Sequence, residues 1–166
     1  MSRAHAERPY VLGVDGGEWC MRYEPGESRS AAFGGNSNWR GPVWLPVNFL
    51  LVEAIRKFHA YYGDDFLVEC PTGSGSRTTL DGIADFLSRR LVSLFLPGAD
   101  GRRPCDGASS EPRVAGDEDL LVFHEYFHGD DGSGLGARQQ TGWTGLVAEL
   151  VREIALREAG KAEIED

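Results

Sequence analysis

The chain contains 166 residues, 26% of them charged, and its formal net charge at pH 7 is −9. A chain of this length suits one domain and buries about 70% of its unfolded surface on folding. The acidic charge argues against nucleic-acid binding, because that binding depends on lysine and arginine neutralising phosphates, so we expect no nucleic-acid partner.

The cysteine and hydropathy patterns predict a cytoplasmic protein with no membrane partner. Cys20, Cys70 and Cys105 are far apart and include no CxxC pair, which suits a reducing compartment better than a disulfide framework. The opening residues, MSRAHAERPY, have no apolar run behind their basic residues, so we expect no secretory signal. No stretch of eighteen apolar residues occurs, and we expect no membrane-spanning segment.

Three segments have the periodicity of amphipathic helices. Residues 45–62 open near Pro46, which suits a first helical turn, and Gly63 follows as a stop signal. Residues 79–96 begin where Thr78 and Asp81 resemble a capping box, and they end before a Pro-Gly pair. Residues 144–159 place their apolar side chains on one face.

Long glycine-rich loops connect the predicted helices. The chain has 22 glycines among 166 residues, near twice the usual share of about 7%. Residues 97–118 have almost no apolar content, and residues 1–44 show no strong period. Three helices with loops of this length make a poor independent core, so we expect a fragment of a larger fold.

The segment FHEYFHGDDGSG, residues 123–134, contains H-E-x-x-H, with which a helix can hold zinc and place a glutamate base beside it. The pattern needs His124 and His128 on one helical face, but glycines begin immediately after His128. Glu149 could serve as a distant third ligand. A zinc hydrolase is therefore the minor alternative to two partly buried histidines on a loop or strand, and we expect no metal and no other cofactor.

A second cluster, FGGNSNWRGPVWLPVN at residues 33–48, contains all three asparagines of the chain and two of its four tryptophans. Asparagine and arginine offer directed hydrogen-bonding groups, and tryptophan offers a flat apolar face. Proteins grip sugars with this combination, because a sugar carries hydroxyls around its rim and C–H groups on its faces. A turn-rich segment whose tryptophans pack into the core explains the cluster equally well.

Three segments, in this order, closely resemble the C-terminal part of glycoside hydrolase family 63: GGNSNWRGPVW, YYGDDFLVECPTGSG and EYFHGDDGSGLGARQQTGWTGLVAELV. The family includes processing α-glucosidases that act on mannosyl-oligosaccharides, and similar mannosylglycerate hydrolases. The resemblance covers nearly the whole chain, from about residue 9 to residue 151. It implies an all-α fold, the C-terminal portion of an (α/α)6 toroid that is incomplete in this chain. The expected organisation is a poorly patterned lead-in at 1–32, the catalytic-domain segment at 33–160 and a tail at 161–166.

The resemblance also implies a chemistry. Family members act by inversion, with a carboxylic acid that protonates the leaving oxygen and a carboxylate that activates water. Glu125 matches the family's general base. Trp39 and Arg40 match a pocket-lining segment and would contact the sugar, as would Asn38. Trp143 matches the aromatic residue of TGWTGLV, although a core tryptophan at the start of the last helix explains it as well.

The family's general acid is an aspartate upstream of the WRGP segment, and nothing in residues 1–32 matches it. We therefore expect the chain to supply the base but not the acid, and to be inactive alone. Its expected partners are the missing N-terminal part of the same catalytic domain and an oligosaccharide or small glycoside substrate, such as an α-glucoside. The alternative from another class is a non-catalytic carbohydrate-binding remnant.

Overall fold

The computed structural model describes residues 3–29, 39, 41–107 and 120–165. The chain divides into two compact units, each built from two separate stretches. Unit 1 comprises Met1–Trp44 and Pro104–Gln140, and unit 2 comprises Leu45–Arg103 and Thr141–Asp166. The division expected from the sequence, at 1–32, 33–160 and 161–166, stays a prediction.

Unit 2 contains the helices that the periodicity predicts. Helix α1 is Leu45–Tyr62, α2 is Leu80–Ser93, the short α3 is Thr141–Thr144, and α4 is Val147–Glu165. Helix α2 packs against both α1 and α4. The three predicted helices are confirmed, and the bounds of α1 are the predicted ones. The last helix begins three residues later than expected, because residues 141–144 form the separate short helix α3. Its backbone continues to residue 165.

The beginning of α2 differs from the predicted capping box. Thr79, rather than Thr78, is the N-cap, and its hydroxyl accepts the N–H of Gly82 at 3.1 Å. Asp81 does not reach back to the cap. Its carboxylate accepts a hydrogen bond from Arg157 of α4 at 2.6 Å instead. Burial raises the pKa of Asp81, but the hydrogen bond and charge of Arg157 outweigh burial and lower it overall.

Charged side chains link the helices of unit 2 around a small apolar core. Val52, Ala84 and Leu150 are fully buried. Arg56 of α1 pairs with Glu153 of α4 and also reaches the hydroxyl of Ser88 on α2. One arginine therefore contacts both neighbouring helices. Between α1 and α2, the strands β3 (Leu67–Glu69) and β4 (Arg77–Thr79) form an antiparallel hairpin.

Unit 1 contains two hairpins. Strands β1 (Tyr10–Val14) and β2 (Gly17–Met21) pair through a two-residue turn, in which Asp15 and Gly16 both have positive φ angles. Asp-Gly is a favoured sequence for this turn, because its backbone twist matches that of the strands. Strands β5 (Tyr126–Phe127) and β6 (Gly134–Leu135) form the other hairpin. Short 3-10 turns occupy Arg3–His5 and Pro104–Asp106.

The all-α expectation is met in part. The described residues form four α-helices and also three small antiparallel sheets of two strands each, which an all-α fold does not include. The strands are only two to five residues long, too short to show a clear alternation of apolar and polar residues in the sequence. None of the helices in the described part of the chain combines the length and the apolar character that a membrane crossing requires.

Candidate functional site

Strand β5 is the centre of the candidate site in unit 1. On one side Phe127 pairs with Gly134 of β6. On the other side it exchanges two backbone hydrogen bonds with Val43, at 2.8 and 2.9 Å. Val43 belongs to the WRGPVW segment, so this bridge joins the two motifs that the sequence analysis identified. Phe127 is fully buried between them.

An aromatic row lies along this junction. The ring of Trp44 stacks on that of Tyr126, with centroids 4.3 Å apart and planes inclined by 21°. Trp39 continues the row, with its ring centroid 5.9 Å from that of Trp44. Trp44 and Tyr126 are buried, whereas Trp39 is 48% exposed. The row therefore ends in an indole that a ligand can reach.

The backbone of Trp39 is strained. Its φ angle is +52°, in the left-handed region that a bulky L-residue rarely adopts. Such strain costs about 1–3 kcal/mol and persists where the surrounding structure holds it, often at functional positions.

Glu125, immediately before β5, is held by the segment that follows β6. Its backbone N–H donates to the carbonyl of Ala137 at 2.9 Å, and its Oε2 accepts the N–H of Ala137 at 3.0 Å. The side chain is half-buried. Main chain and carboxylate are thus fixed by the same residue, so the orientation of the carboxylate depends on the path of the chain at 136–137.

Gly136 makes this arrangement possible. It has a φ angle of +70°, and a Cβ at this position would lie 2.6 Å from Oε2 of Glu125 and 2.6 Å from Cε1 of Tyr126. Gly41 has a similar role in the WRGPVW segment, because it has a φ angle of +83° and a Cβ there would clash with the carbonyl of Glu24. At Gly41 a side chain would separate two segments that pack backbone to backbone, and at Gly136 it would displace the side chains of Glu125 and Tyr126.

The loop between β5 and β6 is tied to residues near the start of the chain. The N–H of Gly129 donates to the carbonyl of Pro25 at 2.8 Å, and the hydroxyl of Tyr23 donates to Oδ1 of Asp130 at 2.9 Å. Burial and the bond to Asp130 raise the pKa of Tyr23, so its hydroxyl stays protonated and remains a donor. Asp131 is held within the loop, where hydrogen bonds from Ser133 lower its pKa.

The histidines of H-E-x-x-H do not lie on a helix. The motif runs into β5, and His128 pairs through its backbone with Ser133 at 2.8 Å. The ring of His124 packs edge-on against Phe127. Burial, together with Arg138, lowers the pKa of His124 in spite of Asp106. Among the described residues, no three His, Cys, Asp or Glu side chains come together in a way that could hold a metal ion.

Two of the residues that the sequence predicts for the site lie in unit 1. Glu125 and Trp39 both belong to unit 1, on segments joined by the bridge at Val43. Asn38 and Arg40 lie outside the described residues. Trp143 is part of α3 in unit 2, where it is half-buried.

Several residues of the candidate site, among them Trp44, Tyr126 and Gly136, were not predicted from the sequence. Trp44 and Tyr126 are buried and stack on each other beside Glu125, and Gly136 leaves room for the carboxylate of Glu125. Trp44 is the second tryptophan of WRGPVW, so the motif itself gave a signal for this residue. No local pattern links Tyr23 to Asp130, which are 107 positions apart.

Two yeast proteins are similar to this chain. It is 44% identical over 159 residues to the uncharacterized protein YMR196W of Saccharomyces cerevisiae, a match that covers 94% of this chain and 15% of that protein. It is 26% identical over 120 residues to the mannosyl-oligosaccharide glucosidase of the same yeast, covering 72% of this chain and 11% of that enzyme. The chain thus spans a small part of the length of these relatives and is distantly similar to a glucosidase. No family model matches it, and no solved structure does.

Proposed function

We propose that this chain is a segment of an inverting glycoside hydrolase of family 63 that acts on α-glucosides or related oligosaccharides, with Glu125 as its general base. The observation that carries the proposal is the position of Glu125. Its carboxylate is oriented by the N–H of Ala137, and the next residue stacks on Trp44 of the WRGPVW segment. The distant similarity to a mannosyl-oligosaccharide glucosidase supports the same class of substrate.

Inversion requires a second carboxyl group. A general acid must protonate the leaving oxygen from the other face of the sugar, with the two carboxyl groups about 6.5–9.5 Å apart so that a water fits beside the base. In this proposal the acid is an aspartate encoded outside this chain. Helices α1, α2 and α4 belong to the closing part of an (α/α)6 toroid that the rest of the catalytic domain completes.

The substrate-binding residues in this proposal are Asn38, Trp39, Arg40 and Trp143. The half-exposed indole of Trp39 offers a flat apolar face to the C–H groups of a sugar. Asn38 and Arg40 would hydrogen-bond the hydroxyls at its rim. The strained backbone of Trp39 supports a binding role, because packing alone does not require a strained conformation.

A second candidate is a carbohydrate-binding segment without hydrolysis. The exposed end of the aromatic row favours it, because stacking on Trp39 needs neither Glu125 nor a general acid. The two candidates differ in what the complete polypeptide does. Binding of an oligosaccharide with no release of glucose, measured by calorimetry and a glucose assay on the same sample, identifies the second.

The decisive experiment is Glu125→Gln in the complete polypeptide. We expect the rate of sugar release to fall by about 100- to 10,000-fold, the usual contribution of a general base, while the protein remains folded and binds the oligosaccharide. Glu18→Gln is the matched control, because Glu18 is an exposed carboxylate of β2 in the same unit. A Glu125→Gln variant that releases sugar as fast as the Glu18→Gln variant refutes the proposed role.

A further inference from the structure

The hydrogen bonding between β5 and β6 continues past the ends of both strands, with a change of register at Glu125. Tyr126 pairs with Leu135 inside the hairpin. The preceding residue, Glu125, donates its N–H to the carbonyl of Ala137 at 2.9 Å. An unbroken register would place Glu125 opposite Gly136, so the second segment contains one extra residue here. This is a β-bulge, and Gly136 occupies the left-handed region that such a bulge uses, at a φ angle of +70°.

A second change of register lies on the other side of Glu125. The N–H of Gln140 donates to the carbonyl of Phe123 at 2.7 Å. Phe123 is two residues before Glu125, whereas Gln140 is three residues after Ala137. This stretch therefore also contains one extra residue, and within it Gln139 has a φ angle of +63°. Glu125 and Ala137 thus pair between two bulges, each with one residue in the left-handed region.

The pair of Glu125 and Ala137 differs from a regular pair of antiparallel strands. In a regular hydrogen-bonded pair, each residue donates its N–H to the carbonyl of the other. The N–H of Glu125 does so, but the N–H of Ala137 donates to Oε2 of the Glu125 side chain at 3.0 Å. The carboxylate therefore takes the acceptor position that a main-chain carbonyl fills in a regular sheet. Bulges next to functional sites re-aim groups in this way.

Gln139 keeps its conformation through its neighbours. A residue with a Cβ is disfavoured at positive φ, because the Cβ approaches the following carbonyl oxygen. Gln139 is exposed, so packing in a core does not hold it there. The bond from Gln140 to Phe123 and the paired Ala137 fix the chain on either side of it. The conformation of Gln139 and the direction of the Ala137 N–H are therefore linked through a short stretch of chain.

We propose that Gln139 is a positioning residue for the general base. Its left-handed backbone closes the second bulge, and this closure directs the N–H of Ala137 onto the carboxylate of Glu125. The inference rests on the proposed function, because it assigns a role at the same carboxylate. Gln139 acts through its backbone, so glycine should replace it without loss. A β-branched residue should not, because positive φ is a true outlier for such a residue.

The test compares Gln139→Val with Asp15→Val in the complete polypeptide. Asp15 also has a positive φ angle, +50°, but lies in the turn between β1 and β2 of the same unit. Both variants should lower the thermal midpoint by comparable amounts. Only Gln139→Val should lower kcat for sugar release, by about 10- to 100-fold with KM unchanged, because it misplaces the carboxylate by a fraction of an ångström or more.

Glycine at the same position separates the backbone from the side chain. We expect Gln139→Gly to keep kcat within about twofold of the unchanged protein, because glycine adopts positive φ freely. A fall as large as that of Gln139→Val overturns the inference, as does an equal kcat for Gln139→Val and Asp15→Val. If Gln139→Val does not fold, Gln139→Ala imposes a milder form of the same strain and should lower kcat to a smaller extent.

Hydrogen exchange provides a readout that does not depend on turnover. It is measured by mass spectrometry on the peptide that contains Ala137, in the complete polypeptide. We expect faster exchange in Gln139→Val than in Asp15→Val, because the N–H of Ala137 loses its acceptor. Equal exchange overturns the positioning role. If Glu125→Gln leaves sugar release unchanged, the proposed function fails instead, and the exchange at Ala137 alone decides whether Gln139 positions the carboxylate.

Discussion

The ring of Trp44 lies stacked on that of Tyr126, with centroids 4.3 Å apart, although 82 positions separate these residues in the chain. This contact fixes the end of the WRGPVW segment against the residue that follows Glu125. Because both rings are buried, their relative position is set by packing on all sides. The stacked pair thereby connects the segment that carries the carboxylate of Glu125 with the segment that carries the accessible indole of Trp39.

Gly136→Ala should destabilise unit 1 and displace the carboxylate of Glu125. The new Cβ would lie 2.6 Å from Oε2 of Glu125, at a φ angle of +70°. Gly16→Ala is the control, since Gly16 has a φ angle of +76° with nothing within 4 Å of its Cβ. We expect Gly136→Ala to lower the free energy of unfolding by about 1–3 kcal/mol more than Gly16→Ala, measured by urea denaturation. Equal losses of unfolding free energy in the two variants would show that the space around Gly136 accommodates a methyl group.

Trp39→Ala should weaken sugar binding without loss of fold. An aromatic face contributes about 0.5–1.5 kcal/mol beyond the area that it buries, so we expect the dissociation constant of an oligosaccharide to rise about threefold to tenfold in calorimetry. Trp19→Ala is the matched control, because Trp19 is 51% exposed and belongs to β2 in the same unit. An equal effect of both substitutions would remove Trp39 from the binding site.

Arg56→Met should destabilise unit 2 much more than Arg89→Met. Both arginines join two helices by pairing with glutamates of α4, but the side chain of Arg56 is 13% exposed and that of Arg89 is 46% exposed. Removing Arg56 leaves Glu153 without this partner in a half-buried setting, and we expect a loss of about 2–4 kcal/mol. The exposed pair of Arg89 is screened by solvent, with an expected loss of about 0–1 kcal/mol. Chemical denaturation of the two variants measures the difference.

The stability of unit 1 should fall as the pH drops below about 6.5, the usual pKa of an unfolded histidine. Burial and Arg138 lower the pKa of His124 in the folded chain. Between the pKa of His124 in the unfolded chain and its lower pKa in the folded chain, the unfolded chain binds more protons than the folded one. The stability that the neutral His124 contributes is therefore fully present above about pH 6.5, and it is lost as the pH falls through the folded pKa. His124→Gln should therefore flatten the dependence of the unfolding free energy on pH between about 7 and 5. An unchanged slope would contradict this assignment.

The helices could be predicted from the sequence, and the pairing of the short strand β5 could not. The predicted helix at 45–62 has the bounds of α1, because a long amphipathic segment with a stop glycine carries its own signal. Strand β5 consists of Tyr126 and Phe127 alone. Its pairing depends on Val43, far away in the chain, so no local pattern reports it. The hairpin of β1 and β2 does have a local signal, the Asp-Gly pair at its turn.

The candidate site was predictable only where motifs carried it. Glu125 and Trp39 were predicted as site residues by resemblance, and their roles stay predictions, to which the structure adds the contacts around them. The capping residue of α2 was predicted one position too early, because Thr78 and Thr79 are equally good caps and Asp81 pairs with Arg157. Which of the two threonines caps the helix depends on the packing of α4 against α2, and the residues around the cap do not encode this packing.

The interleaving of the two units has a practical consequence for protein engineering. The polypeptide passes from one unit to the other three times, after Trp44, Arg103 and Gln140. A truncation at any single point therefore leaves at least one unit without part of its sequence. A shortened version that contains unit 1 alone has to join residues 1–44 to 104–140 with a designed linker, because trimming from the termini cannot remove residues 45–103 and still keep both stretches of unit 1.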